Sequence, residues 1–186
     1  MRKRRRLLVL LLVPALAAGA VGLALFQPWK LWVDDVVAEA APTLPAGTTA
    51  PPAPAGSGPA TTPATPAAAP VLLATGSFIS HEHDTTGSVR VLGLPGGRRV
   101  LRIEDLETSN GPDLKVWLTD APVRSGRAGW FVFDDGRYVD LGRLKGNRGS
   151  QNYELPDSVD LRQLASLSIW CDRFNVSFGA ARLQVA

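Results

Sequence analysis

Cysteine is almost missing from this sequence. Its 186 residues carry one, Cys171, beside two histidines, two tyrosines and one methionine. A single thiol excludes any disulfide within the chain, and no C-x-x-C-H run exists for covalent haem attachment. No cysteine lies near the N-terminal apolar run, so a lipoprotein anchor is excluded as well. Metal sites need more ligands than two histidines supply. His81-Glu82-His83-Asp84 therefore reads as an exposed loop, although His-x-His on a strand would place both rings on one face. No metal site is expected. No G-x-S-x-G motif and no recognisable His–carboxylate pairing speaks for a hydrolase.

A basic excess is also missing once its source is located. The net charge of +3 includes Arg2, Lys3, Arg4, Arg5 and Arg6; beyond them 15 basic residues face 17 acidic ones. The body of the protein has no charge with which to bind nucleic acid phosphates. Charge is absent altogether from Leu7 to Phe26, a run of about 20 residues that matches the length of a membrane-crossing helix. Pro14, Gly19 and Gly22 are compatible with such a helix. The basic cluster of residues 1–6 holds the N-terminus in the cytoplasm and sends the rest outside, and Trp29 and Trp32 follow at interfacial depth. The rival is a cleaved signal sequence. Ala38-Glu39-Ala40 resembles its A-x-A site but lies well past the run, which is itself longer than a usual signal core. Length and flanks favour an uncleaved anchor embedded in membrane lipid, giving a single-pass protein of the cell membrane.

Residues 27–40 form a juxtamembrane segment. Trp29, Trp32, Val33, Val36 and Val37 stand at helical spacing, which suits a helix lying on the membrane surface or an extension of the anchor. Residues 41–70 hold almost only Ala, Pro, Thr, Gly and Ser, a composition that cannot build a core and implies a disordered linker. Extended, it would reach about 90 Å from the membrane.

Residues 71–186 carry the remaining apolar pattern. Gly87–Leu92 reads as a strand with Val89 and Val91 inward, Leu94-Pro95-Gly96-Gly97 as a hairpin turn, and Arg99–Ile103 as the next strand. Asn110-Gly111-Pro112-Asp113 reads as a turn before Leu114–Leu118. Trp130–Phe133, Tyr138–Leu141, Leu167–Trp170 and Val176–Leu183 read as further short strands. Gly146–Tyr153 is rich in turn formers, and its amides are placed to brace a loop. No ten-residue window there shows a persuasive helical period; Asp160–Ala165 allows one turn. The expectation from pattern is an all-β antiparallel sandwich or barrel.

The thiol sits at a break in this pattern. Leu167, Ile169 and Cys171 share one parity, while Phe174, Val176 and Phe178 take the other. A strand keeps one parity, so Cys171 ends a strand and Asp172-Arg173 forms a turn. At such a corner a partner could reach the thiol. As an isolated residue, a free cysteine is equally at home packed in a core.

Several motifs occur together and in order: Gly76-x-Phe78, His83-x-x-x-Gly87, Asn110-Gly111-Pro112-Asp113-Leu114, Leu144-Lys145-Gly146-Asn147-x-Gly149-x-Gln151-Asn152-Tyr153, Ile169-Trp170-Cys171 and Phe174-Asn175-Val176-x-Phe178-Gly179-x-Ala181. In this order they resemble the DM-thirteen, or electron-transfer DM, domain, over about Leu73 to Leu183. The resemblance implies a β-sandwich related to DOMON-type domains and a part in extracellular electron transfer. It also implies a redox role for Cys171, either as a bare thiol or as a ligand for a group such as haem, with His83 the family-matching candidate for a second ligand. Two functions follow. The first is a membrane-anchored extracytoplasmic redox module acting through Cys171, with a redox or cell-surface protein as partner. The second is an extracellular binding or adhesion module in which Cys171 is buried and inert.

Overall fold

The structure is a computed structural model, and it describes residues 2–42 and 69–186. The expected linker falls mostly on residues 43–68, outside the described residues. An α-helix, α1, runs Arg2–Phe26 with Pro14 inside it. The stretch Leu10–Lys30, with a mean hydropathy of 2.1, is long and apolar enough to cross a membrane or to act as a signal sequence. A 3-10 turn, Pro28–Trp32, follows.

Among the described residues ten strands follow: β1 (Val36–Ala38), β2 (Val71–Ser80), β3 (Thr86–Gly93), β4 (Arg99–Glu107), β5 (Leu114–Thr119), β6 (Tyr138–Arg143), β7 (Arg148–Leu155), β8 (Ser166–Cys171), β9 (Val176–Arg182) and β10 (Gln184–Val185). They form one sheet in the order β1-β7-β4-β3-β2-β9-β8-β5-β6, with β10 paired to β2. The fold is mostly β, as expected, but the two-sheet antiparallel sandwich is corrected. The sheet is continuous and curls into a half-barrel, and β1 runs parallel to β7. The reason lies in β2. Its first part, Val71–Ser77, pairs with β3, and its end, Phe78–Ser80, pairs with β9. The long strand thus hydrogen-bonds to both halves, and no gap opens between two sheets.

The concave face buries Val89 and Val91 of β3, Leu101 and Ile103 of β4, Val116 and Leu118 of β5, and Leu167, Ile169 and Cys171 of β8. Val89 and Val91 point inward as their alternation requires. The outer face of β5, β8 and β9 is buried too, by Phe133 and Ala121 from the loop between β5 and β6, packed on Trp117, Trp170 and Ala180. Both faces being covered, every residue of β8 is buried.

Three local expectations are corrected. Residues 36–38 form an edge strand instead of a membrane-surface helix, because β7 offers an unpaired edge that satisfies their backbone. Trp130–Phe133 forms turns, not a strand; Phe133 is needed as a lid over Trp170, and turns present it there. Phe174 does not join the core. It is 49% exposed in the β8–β9 turn and stacks on Phe26 at the end of α1, ring centroids 5.9 Å apart.

Candidate functional site

Cys171 ends β8, as the parity break requires, opposite Leu114 of β5 and Val176 of β9. It is 0% exposed and belongs to the concave core. Burial pushes the thiol above its ordinary value, against backbone hydrogen bonds from Phe174, Arg173 and Asp113 that favour the thiolate. The reachable, electropositive thiol required for open redox chemistry is not what this corner presents. The turn beyond it is closed by Asp172 N–H donating to Asp113 O (3.0 Å) and Lys115 Nζ bonding Asp172 Oδ2 (2.7 Å). Asn175 completes the turn at φ 50°, a conformation asparagine accepts more readily than most residues.

His83 lies with its ring tilted against Phe178, centroids 3.9 Å apart. With Pro112, Asn110, Phe174, Phe178 and Phe26 it lines a cleft of about 250 Å³ where α1 meets the domain. Cys171 contributes no wall to that cleft. A haem held between Cys171 and His83 would need both side chains to face one apolar cavity of several hundred Å³. The enclosed thiol and the small cleft do not fit that group.

The expectation of His81 in an exposed loop is corrected: it is buried. Its Nδ1 lies 2.8 Å from Ser177 Oγ and its Nε2 3.0 Å from the Arg124 carbonyl. Ser168 Oγ donates to Ser177 Oγ (2.9 Å), extending the network under the aromatic lid. The ring stacks on Phe133. A Ser–His pair enclosed in this way ties the loop between β5 and β6 to the sheet and offers a substrate no approach. Burial holds His81 below its ordinary value, although its bond to the Arg124 carbonyl pulls the other way. The unfolded chain therefore takes up this proton more readily than the folded one. Stability should fall as pH drops through about 6.5, above the range in which carboxylates titrate. Urea midpoints at a series of pH values should show the fall in the parent and a flatter profile in His81→Gln; identical profiles would refute this role for His81.

The remaining motif residues converge elsewhere, around residues 33–40. Asn110 Nδ2 donates to Val33 O (3.0 Å) and Asp35 Oδ2 (2.9 Å), while its Oδ1 accepts from Gly111 N–H (2.8 Å). Asn147 Oδ1 accepts from Asp35 N–H (2.7 Å), and its Nδ2 donates to Asp34 Oδ1 and to Thr108 O (2.8 Å each). Asn152 donates from its backbone to Glu39 Oε2 (2.7 Å) and from Nδ2 to Ala40 O (2.9 Å). A Cβ at Gly146 would collide with Asp35 O, and one at Gly149 with Val37 O. Gly149 also sits at φ 98°, where other residues are strained. Gln151, wholly buried, braces the loop before β7: its Oε1 accepts from Lys145 N–H (2.9 Å) and Tyr153 Oη (2.7 Å), and its Nε2 donates to Gly146 O (2.8 Å). Burial pushes the Tyr153 phenol well above its ordinary range.

The structure thus divides the expected site residues among four places, the first being the cleft beside α1 lined by His83 and Pro112. Cys171 and Asp113 lie at the β8–β9 corner, Trp170 on the opposite face in the aromatic cluster, and the Asn and Gly residues around β1. Sequence reasoning gave no role to Arg102, Lys145 and Arg148: Lys145 Nζ meets the Glu39 carboxylate at Oε1 (2.7 Å) and Arg148 Nε meets Asp34 Oδ2 (2.8 Å), while Arg102 Nη1 donates to the Glu39 backbone carbonyl (3.0 Å). The available signal was Asp34, Asp35 and Glu39, the only acidic residues before the domain. The Asn147 amide, and then Arg148, hold Asp34 below the usual carboxylate value. Burial raises Glu39, but Lys145, the Asn152 N–H and Arg102 outweigh it and the net shift is downward. Among the described residues no group of three His, Cys, Asp or Glu is arranged to hold a metal.

A curled β domain following an apolar helix, with an enclosed thiol at one strand end, defines a small β module on a candidate membrane span. The family model described as Electron transfer DM13 matches residues 77–183, and the chain belongs to that family. No curated protein and no solved structure matches the chain.

Proposed function

We propose that this chain is a membrane-anchored module held outside the cytoplasm, serving the redox-related setting of its family by binding rather than by thiol chemistry at Cys171. The observation that carries the reading is the enclosure of Cys171, 0% exposed and raised by burial, while the motif amides and glycines converge on a strip of extended chain. A thiol without solvent and without thiolate character is a poor nucleophile and a poor partner for exchange. The helix with its basic head supplies the anchor and the orientation.

A second reading keeps Cys171 as the redox centre. It is favoured by the backbone groups of Phe174, Arg173 and Asp113 beside the thiol, which act against burial and towards the thiolate. Maleimide labelling of the native full-length chain separates the two. The binding reading expects labelling slowed by about 1,000-fold or more against the urea-unfolded chain, because a buried group reacts only through opening events that cost several kcal/mol. Native labelling within about tenfold of the unfolded rate would overturn it and leave the redox reading.

A further inference from the structure

The short strand β1 behaves as a ligand seated on a prepared surface. The surface is stiff: Asn147 is fixed by Thr108, whose N–H also donates to the Asn147 carbonyl (3.0 Å), and the preceding loop is braced by Gln151. Gly146 and Gly149 remove the side chains that would block a strand there. The segment is lightly held by comparison. It is three residues long, it lies at the sheet edge, and Val36 is 72% exposed. Its backbone pairs in parallel register, Val36 to Arg148, Val37 to Gly149 and Ala38 to Ser150. Val37 packs over Gly146, and the flanking Asp34, Asp35 and Glu39 make polar or charged contacts, of which the ion pairs Lys145–Glu39 and Arg148–Asp34 are half-exposed. Such pairs contribute little when tested singly. Recognition therefore rests on main-chain pairing plus a charge pattern, as in strand addition to a sheet edge.

We propose that the β7 edge, with Asn110, Asn147, Arg148, Lys145 and Arg102, is an acceptor site for an extended acidic segment of a partner protein, which the chain's own Asp34–Ala40 fills in this structure. The proposal rests on the binding reading above. The partner segment carries carboxylates at the positions of Asp34, Asp35 and Glu39. Its arrival displaces β1, and the domain then keeps the Phe26–Phe174 stack as a contact with the end of α1. The resident segment is covalently tethered, so it competes at an effective concentration of roughly millimolar. Exchange requires a partner that is concentrated or that adds contacts of its own.

The test uses the full chain in lipid nanodiscs. Ala38→Cys and Ser150→Cys, neighbours across the β1–β7 pairing, are introduced together in a Cys171→Ala background. Mild oxidation should give an intrachain disulfide. A synthetic peptide of residues 33–40 at about ten times the effective concentration should slow its formation about tenfold. The same peptide with Asn at the two Asp positions and Gln for Glu39 should not. Absence of the intrachain disulfide would overturn the proposal, as would an interchain one. So would indifference to both peptides, which makes β1 a permanent strand, or equal competition by both, which removes charge recognition. Should the cysteine variant lose its fold, amide exchange in the parent chain decides between the same outcomes. The Glu39 N–H, which donates to Ser150 O (2.9 Å), should exchange faster with the acidic peptide and not with the neutral one. Cys171 labelling of the parent chain is scored in parallel: rapid labelling refutes the binding reading, whereas a failed competition with Cys171 still protected refutes the acceptor site alone.

Discussion

Trp170→Ala is expected to destabilise the domain by about 3–5 kcal/mol, the usual range for removing a fully buried large aromatic. Trp170 is 0% exposed, stacks on Trp117 with centroids 5.1 Å apart, and meets Phe133 edge-on at 6.4 Å. Truncation would leave a cavity beneath the loop between β5 and β6, against Phe133 and Trp117. A domain of this size has a total stability on the order of 5–15 kcal/mol, so the loss could consume much of it. Trp170→Phe supplies the contrast. The indole Nε1 is buried without a hydrogen-bond partner, so phenylalanine sacrifices volume but no bond. Its cost should stay below about 2 kcal/mol. Urea unfolding of the three chains checks both figures; a Trp170→Ala cost under about 1 kcal/mol would show that the aromatic cluster is not a second core.

Cys171→Asp should be the other severe substitution, with a loss of more than about 3 kcal/mol, against about 1–2 kcal/mol for Cys171→Ser. The side chain stands between its cross-strand partners Leu114 and Val176, enclosed in the concave core. A hydroxyl there loses its water and finds only part of its hydrogen bonding. A carboxylate must in addition either stay charged without a cation in the core or take up a proton well above its ordinary value. Near-equal stabilities of the Ser and Asp variants would mean that water reaches position 171, and would return Cys171 to the redox reading. The serine variant is informative for function as well: if the thiol is only packing, its partner binding should match the parent once the stability loss is allowed for.

Much of this was legible in the residues because it depends on local pattern. The charge-free run after five basic residues marks a helix able to cross a membrane, since length and hydropathy set that property without help from the rest of the chain. Val89 and Val91 point inward and Cys171 ends its strand, because alternation is a period-two backbone property. Gln151 braces its own loop at short sequence separation, and the motif order alone identified the family that matches residues 77–183.

Other features were decided only when distant segments met. Alternation reports which side of a strand is buried, not which strand lies beside it. A continuous half-barrel and a two-sheet sandwich therefore look alike until β2 is seen to bond β3 with one end and β9 with the other. The enclosure of Cys171 depends on Leu114 and Val176 from neighbouring strands, and His81 is buried only because Ser177 and the Arg124 carbonyl come to it across the fold. The sharpest case is Val36–Ala38. By propensity it is a short apolar piece beside a helix, and what makes it a strand is the free edge of β7, more than a hundred residues away in sequence, with Asn147 and Gly149 shaped to receive it. A backbone takes the conformation in which its N–H and C=O groups find partners, and here the partners are supplied by tertiary structure.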